Sequence, residues 1–116
     1  MKKLKWLNLN QNRLVDIREV RCDFIPNISH LDIGGNQIDF ENVYQFDSFV
    51  NKIAEWKKVE HLIVEENPFF MPEKMMNFHP RNVIEEIIKR IKSLEVFNND
   101  DMPTVKRNLR TVKLEQ

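Results

Sequence analysis

One cysteine, two glycines and one tyrosine are scarce numbers for a chain of 116 residues, and each scarcity excludes something. A lone Cys22 cannot close an internal disulfide, so the chain suits a reducing compartment, and Cys22 reads as a small buried apolar side chain rather than a nucleophile. That points to an intracellular, cytoplasmic protein, with the nucleus also open to it. Neither sign of charge is in excess: 18 Lys and Arg face 18 Asp and Glu, for a net charge of +0. A polybasic nucleic-acid tail, which must neutralise many phosphates, is therefore not expected. No apolar run approaches the ~18 residues that span a bilayer. The opening Met1-Lys2-Lys3-Leu4-Lys5-Trp6 has no apolar stretch behind it, so neither a signal peptide nor a membrane anchor is expected. No phosphate-cradling Gly-rich loop, serine-nucleophile motif or C-x-x-C is present, so the chain does not read as an enzyme and no cofactor is expected. What remains is 41% hydrophobic, with eight Phe and two Trp, enough to build a core.

Four stretches of the chain align without gaps. They are Leu4-Lys5-Trp6-Leu7-Asn8-Leu9-Asn10-Gln11-Asn12, Ile28-Ser29-His30-Leu31-Asp32-Ile33-Gly34-Gly35-Asn36, Val59-Glu60-His61-Leu62-Ile63-Val64-Glu65-Glu66-Asn67 and Ile91-Lys92-Ser93-Leu94-Glu95-Val96-Phe97-Asn98-Asn99. Each reads aliphatic-x-x-Leu-x-aliphatic-x-x-Asn. In the first three an apolar residue follows two places after the Asn: Leu14, Ile38 and Phe69. The alternation in the middle marks a short strand with one buried face, Leu7 and Leu9 inward, Trp6 and Asn8 outward. Stacked side by side, four such strands form a parallel sheet. Each Asn then falls at a sharp turn, where its amide can bond backbone groups that the bend leaves unpaired. Asn12, Asn36, Asn67 and Asn99 are expected to form a structural ladder joining successive turns.

This pattern resembles the leucine-rich repeat, L-x-x-L-x-L-x-x-N-x-L, from Leu4 to about Met102. The fold expected is an α/β leucine-rich repeat solenoid with a short, parallel concave sheet of about four strands and convex helices. Residues 1–102 are assigned to about four repeats, starting near 4, 28, 59 and 91, and 103–116 to a closing helix or tail. Convex material fills the longer later intervals. Between Glu41 and Lys58, apolar residues recur at helical spacing (Val43, Phe46, Val50, Ile53, with Phe49 and Trp56 beside them), and Asp39 or Asn42 can cap them. Val83, Ile84, Ile87, Ile88 and Ile91 repeat the pattern after Pro80. In the shorter first interval, Ile17, Val20, Phe24 and Ile25 predict one or two helical turns before Pro26. The apolar connection through Met75, Met76, Phe78 and His79 reads as a lid on the convex core. Val105, Leu109 and Val112, at i, i+4 and i+7 after Pro103, predict a helix folded over the last strand.

The stretch from Asn67-Pro68 through Val83–Phe97 resembles the C-terminal cap of intracellular leucine-rich repeat proteins such as phosphatase regulatory subunits, axonemal dynein light chains and tubulin-folding cofactors. Glu95-Val96-Phe97 stands where that cap has L-D. At the other end Leu4 opens a repeat at once, so the first strand is expected to present an unpaired edge at which copies of the chain can associate.

In such folds ligands meet the concave sheet. Its outward positions read across the strands as Trp6, His30, His61 and Ser93, then Asn8, Asp32, Ile63 and Glu95, then Asn10, Gly34, Glu65 and Phe97, with Gln11, Gly35, Glu66 and Asn98 beside them. Four carboxylates and no Lys or Arg lie on this surface, while Lys2, Lys3, Lys5, Lys57 and Lys58 are placed elsewhere. Trp6 and Phe97 would serve as aromatic anchors, and the carboxylates would select a partner protein with a basic patch. The candidate partner-binding residues are therefore Trp6, Asn8, His30, Asp32, His61, Ile63, Glu65, Glu95 and Phe97. Gly34-Gly35 is read as the bend after the second strand. Neighbouring His30 and His61 could ligate a metal only with a third ligand and a partner to orient them, so no metal site is assigned. A shallow sheet also offers no water-excluding pocket for acid–base catalysis. The resemblance leaves two other readings: an RNA-associated repeat domain like those of the mRNA export factor and the spliceosomal A-prime protein, with direct nucleic-acid contact disfavoured by the acidic face, and a structural fragment of a larger array.

Overall fold

Three-residue strands cannot hold themselves together, and here each is held by the next. The computed structural model describes residues 3–17, 25–70 and 80–115. Four parallel strands, β1 (Trp6–Asn8), β2 (His30–Asp32), β3 (His61–Ile63) and β4 (Val96–Phe97), lie side by side in that order, and β5 (Asp100–Asp101) pairs antiparallel to β4 at the far edge. Trp6, His30, His61 and Val96 are in register, as are Leu7, Leu31, Leu62 and Phe97. The second row points into the core, where Leu31, Leu62 and Phe97 are buried. Ile33 and Val64 form the next buried layer, and Ile28, Val59 and Leu94 the one before it.

The convex side is helical. α1 (Val43–Ala54) begins at Asn42, whose side chain accepts the Gln45 N–H at 3.0 Å, so Asn42 rather than Asp39 is the cap. It buries Phe46, Phe49, Val50 and Ile53 but leaves Val43 half exposed. Trp56, just past its end, is buried and donates its indole N–H to the Ile25 carbonyl at 3.0 Å. A 3₁₀ turn (Pro68–Phe70) seats Phe69 against Phe40 and Phe49. α2 (Pro80–Arg90) packs on α1, and Arg90 forms ion pairs with Asp47 at 2.8 Å and Glu86 at 3.1 Å. α3 (Met102–Glu115) packs on β4 and β5, burying Val105 and Leu109, and is capped by Asp101, which accepts the Thr104 N–H at 2.9 Å. Cys22, Val20, Phe24, Lys2 and the segment containing Met75, Met76, Phe78 and His79 lie outside the described residues, as does the side chain of Val112.

Asparagines join the turns of adjacent rungs. The buried Asn67 accepts the Ile38 N–H at 3.1 Å and donates to the carbonyls of Ile33 and Val64, both at 2.9 Å. Asn36 does the same one rung earlier, accepting from Leu14 N at 3.0 Å and donating to Leu9, Ile33 and Gly34. Asn12 is exposed and, among the described residues, bonds only its own turn, through the Leu9 and Asn10 carbonyls. The residue before each of the three takes a left-handed conformation (Gln11 φ 59°, Gly35 φ 65°, Glu66 φ 61°), so the turn repeats with the sequence.

The fourth rung departs from expectation by three residues. Phe97, not Leu94, pairs with Leu62, and Leu94 takes the layer of Ile28 and Val59. Asn99 is no ladder residue. Asn98 and Asn99, with φ of 50° and 70°, are the two central residues of a hairpin loop between β4 and β5, the positive-φ pair that a type I′ turn demands. At the same positions Leu9 N–H and Ile33 N–H bond the Asp32 and Ile63 carbonyls of the next strand; Val64 N–H instead bonds the Asn98 side-chain oxygen at 2.8 Å. The amide thus replaces the backbone carbonyl that the turn has carried away.

Candidate functional site

Period-two alternation puts Trp6, His30 and His61 on the concave face of neighbouring strands, and the structure brings their rings together. Trp6 and His30 stack nearly parallel, with centroids 3.9 Å apart and planes 7° apart, and His61 follows at 4.9 Å from His30. Trp6 is 69% exposed, so most of the indole faces solvent at the outer edge of β1. Ser29 Oγ lies 3.3 Å from the Lys5 carbonyl and 3.0 Å from His30 Nδ1. A hydroxyl proton given to that carbonyl leaves Oγ to accept from Nδ1–H, which turns Nε2 outward as the acceptor. Burial, and then the charge of His30, hold the pKa of His61 below its ordinary 6.5. Protonating His61 therefore favours the unfolded chain: stability is full above about pH 6.5 and falls as the pH drops from there toward the lower folded value. Thermal melts across pH 7.5 to 5.5 should show this decline, and His61→Gln should flatten it.

Behind the aromatic row, Asn8, Asp32 and Ile63 form the second. Asn8 and Asp32 each make the same local turn, accepting the N–H of Asn10 at 2.9 Å and of Gly34 at 3.0 Å. Asp32 Oδ1 also accepts from Asn10 Nδ2 at 2.9 Å, while Oδ2 has no partner among the described residues. Glu65 and Glu66 are exposed at the third turn. Glu66 accepts from Gln11 Nε2 at 3.2 Å, a bridge from the first turn to the third that passes over Gly35. A Cβ on Gly34 would sit 2.9 Å from the Glu65 carbonyl, so that glycine is required by close approach, whereas a Cβ on Gly35 would meet the movable end of the Gln11 side chain, and it is the φ of 65° that favours glycine there.

Around the rings lies a shallow hollow of about 160 Å³, lined by Trp6, Asn8, His30, Asp32, His61, Ile63 and Asn99, with no Lys or Arg in its wall among the described residues. Six of the nine expected binding residues line it: Trp6, Asn8, His30, Asp32, His61 and Ile63. Glu65 stands apart at the turn. Two positions are corrected. Phe97 is 2% exposed and belongs to the core, so it cannot anchor a ligand. Glu95 stands beside Glu60 at the entry of the strands, bonding the Glu60 carbonyl at 2.8 Å, and not in the row of Asp32 and Ile63. Ser93 likewise leaves the first row, its hydroxyl turned to the Val59 carbonyl, and Val96 replaces it. Sequence reasoning missed Val96 and Asn99, although Asn98-Asn99, two adjacent residues that tolerate the positive φ of a two-residue hairpin loop, could have revealed both.

The strand entries carry the opposite charge. Lys3, Lys5, Lys57 and Lys58, with Asn27 and Ser29, line an open depression of about 910 Å³ into which Glu60 also reaches. Lys58 Nζ bonds Asn27 Oδ1 at 2.8 Å. Among the described residues no group of three or more His, Cys, Asp or Glu is placed to hold a metal ion, and no helix is long and apolar enough to cross a membrane.

Parallel rungs, three of them ending in the same left-handed turn, closed behind by helices, define an α/β leucine-rich repeat fold. The chain is similar to a chain in the structure of the Chaetomium Mex67:Mtr2 subunits, with a TM-score of 0.63 and 20% identity over 93% of this chain and 68% of that one. It is also similar to the Mex67 leucine-rich repeat domain from Chaetomium thermophilum, with a TM-score of 0.61 and 22% identity over 84% of this chain and 58% of that one. At such identities the likeness is one of fold. No protein-family model matches the sequence, and no curated protein sequence matches it.

Proposed function

We propose that this chain is a non-enzymatic protein-interaction module that takes a basic protein partner on its concave face. The observation that carries the reading is the Trp6–His30–His61 ring row, exposed on a strand and set against Asp32 with no cation among the described residues of the hollow. An indole presented in this way supplies the large apolar contact on which interfaces concentrate their energy, and a lysine or arginine beside it meets Asp32 Oδ2, Glu65 and Glu66. A neighbour from the structure of the Mex67:Mtr2 subunits supports the coarser reading, a protein partner. The hairpin and α3 act as the C-terminal closure of the array, and the outer edge of β1 is where a second copy would pair.

The test is binding of labelled Lys/Arg-rich peptides with a central aromatic or leucine, by fluorescence anisotropy at low and high salt. Trp6→Ala combined with Asp32→Asn, which keeps the Asx-turn acceptor but removes the charge, should weaken binding by about tenfold or more. Unchanged affinity would defeat the reading. A second reading, an RNA-associated domain, is favoured by one feature: the lysine depression along the strand entries. It requires that single-stranded RNA bind in a salt-dependent manner and that Lys3, Lys5, Lys57 and Lys58 together changed to Ala abolish it.

A further inference from the structure

Among the described residues the exposed large apolar side chains are Trp6, Val43, Val15 (58%) and Tyr44 (78%), and the last two lie together outside the concave hollow. Val15 and Tyr44 line a groove of about 610 Å³ between the chain that follows the first asparagine turn and the start of α1. Its size lies within the range of roughly 300–1,000 Å³ in which proteins hold ligands or side-chain anchors. Ile17 and Ile38 are buried beneath it, and Phe40 and Phe49 also contribute to its wall. That wall is preformed. Phe40 meets Phe46, Phe49 and Phe69 at centroid distances of 5.7, 5.2 and 4.9 Å, and the first turn of α1 is pinned by the Asn42 cap and by Gln45 Oε1 accepting the Glu41 N–H at 2.8 Å. Among the described residues the charged ones lining it are Asp16, Asp39 and Glu41, and none is a lysine or arginine. Asp39 and Glu41 are exposed, and neither pairs with a cation among the described residues.

We infer that this groove is a second docking site, for a short peptide segment of a partner protein carrying one apolar anchor flanked by lysine or arginine. The anchor would lie against Tyr44, Val15 and the Phe40 wall, and the flanking cations would face Asp39 and Glu41. A wall already fixed by ring packing loses little freedom on binding, which favours recognition of a short segment. The site shares no lining residue with the concave hollow, so its failure leaves the concave reading intact.

The experiment is an array of 12-residue peptides with a Leu, Ile, Phe or Trp anchor flanked by Lys/Arg, alongside matched peptides flanked by Asp/Glu, probed with the labelled whole chain. Some basic peptides should still bind once Trp6→Ala with Asp32→Asn has removed the concave site, acidic ones should not, and the best of these survivors is carried forward. Tyr44→Ala, and separately Asp39→Lys with Glu41→Lys, should each weaken the best peptide by about tenfold, while Trp6→Ala should leave it unchanged. All three positions are exposed, and an unaltered thermal melt confirms that the variants fold. In the unmodified chain, amide shifts on titration should concentrate at residues 15–17 and 39–49. The inference is overturned by equal binding of acidic peptides, by indifference to both variants, by loss with Trp6→Ala, or by an array with no binders. Self-association abolished by Tyr44→Ala would give the groove to a second copy and overturn it as well.

Discussion

Replacing Asn67 with alanine should lower the stability of this chain by roughly 2–5 kcal/mol, a large share of the ~5–15 kcal/mol typical of a domain. Asn67 is fully buried. Its loss leaves the Ile38 N–H and the Val64 carbonyl without the partners it supplies, while the Ile33 carbonyl keeps its bond from Asn36. Each buried group left unmade costs about 1–3 kcal/mol, and the missing volume adds to it. Asn12→Ala is the control. Among the described residues Asn12 bonds only its own exposed turn, so its removal should cost about 1 kcal/mol or less. Urea denaturation of the two variants measures the contrast, and equal losses would mean that the asparagines do not join rung to rung.

Phe97→Ala should be nearly as damaging, about 3–5 kcal/mol, because it empties a core position that packs edge-on against Phe70 with centroids 5.9 Å apart. The neighbouring Val96→Ala, on the concave row and half-buried, should cost far less. Were Phe97 on the outer face, the ranking would reverse, and Phe97→Ala would disturb binding instead of folding. Denaturation midpoints of the two single variants therefore decide the register of the last rung.

Much of the fold is legible because the repeat writes the same constraint three times. Leu7, Leu31 and Leu62 stand at equal offsets from Asn12, Asn36 and Asn67, and strands so short can be placed only by their neighbours. The last rung is harder because two registers satisfy the same pattern. Ile91-x-x-Leu94-x-Val96 fits, but so does Leu94-x-x-Phe97, since spacings of three occur both at a helix end and at a rung's entry. Burying Phe97 removes more apolar area than burying Val96, and Asn98-Asn99 accepts the positive φ of a hairpin, so the structure takes the later register. That choice moved Phe97 into the core and Glu95 to the strand entry. The ring row was half legible: alternation placed Trp6, His30 and His61 on one face, but the 3.9 Å stacking of Trp6 on His30 depends on side-chain rotamers. The groove beside Tyr44 left no mark, because it joins residues from two turns and a helix start that are distant in sequence.

The central claim is that the hollow side of the stacked rungs holds the partner. It is tested most directly by placing a photo-activatable phenylalanine analogue at Ile63, within the hollow, and in a second sample at Lys52 on the helical side, then irradiating each in extract of the protein's own cells. The account predicts a protein adduct from position 63 that is absent from position 52 and lost when Trp6→Ala is added. Adducts from position 52 alone, or an adduct at 63 indifferent to Trp6, would contradict it.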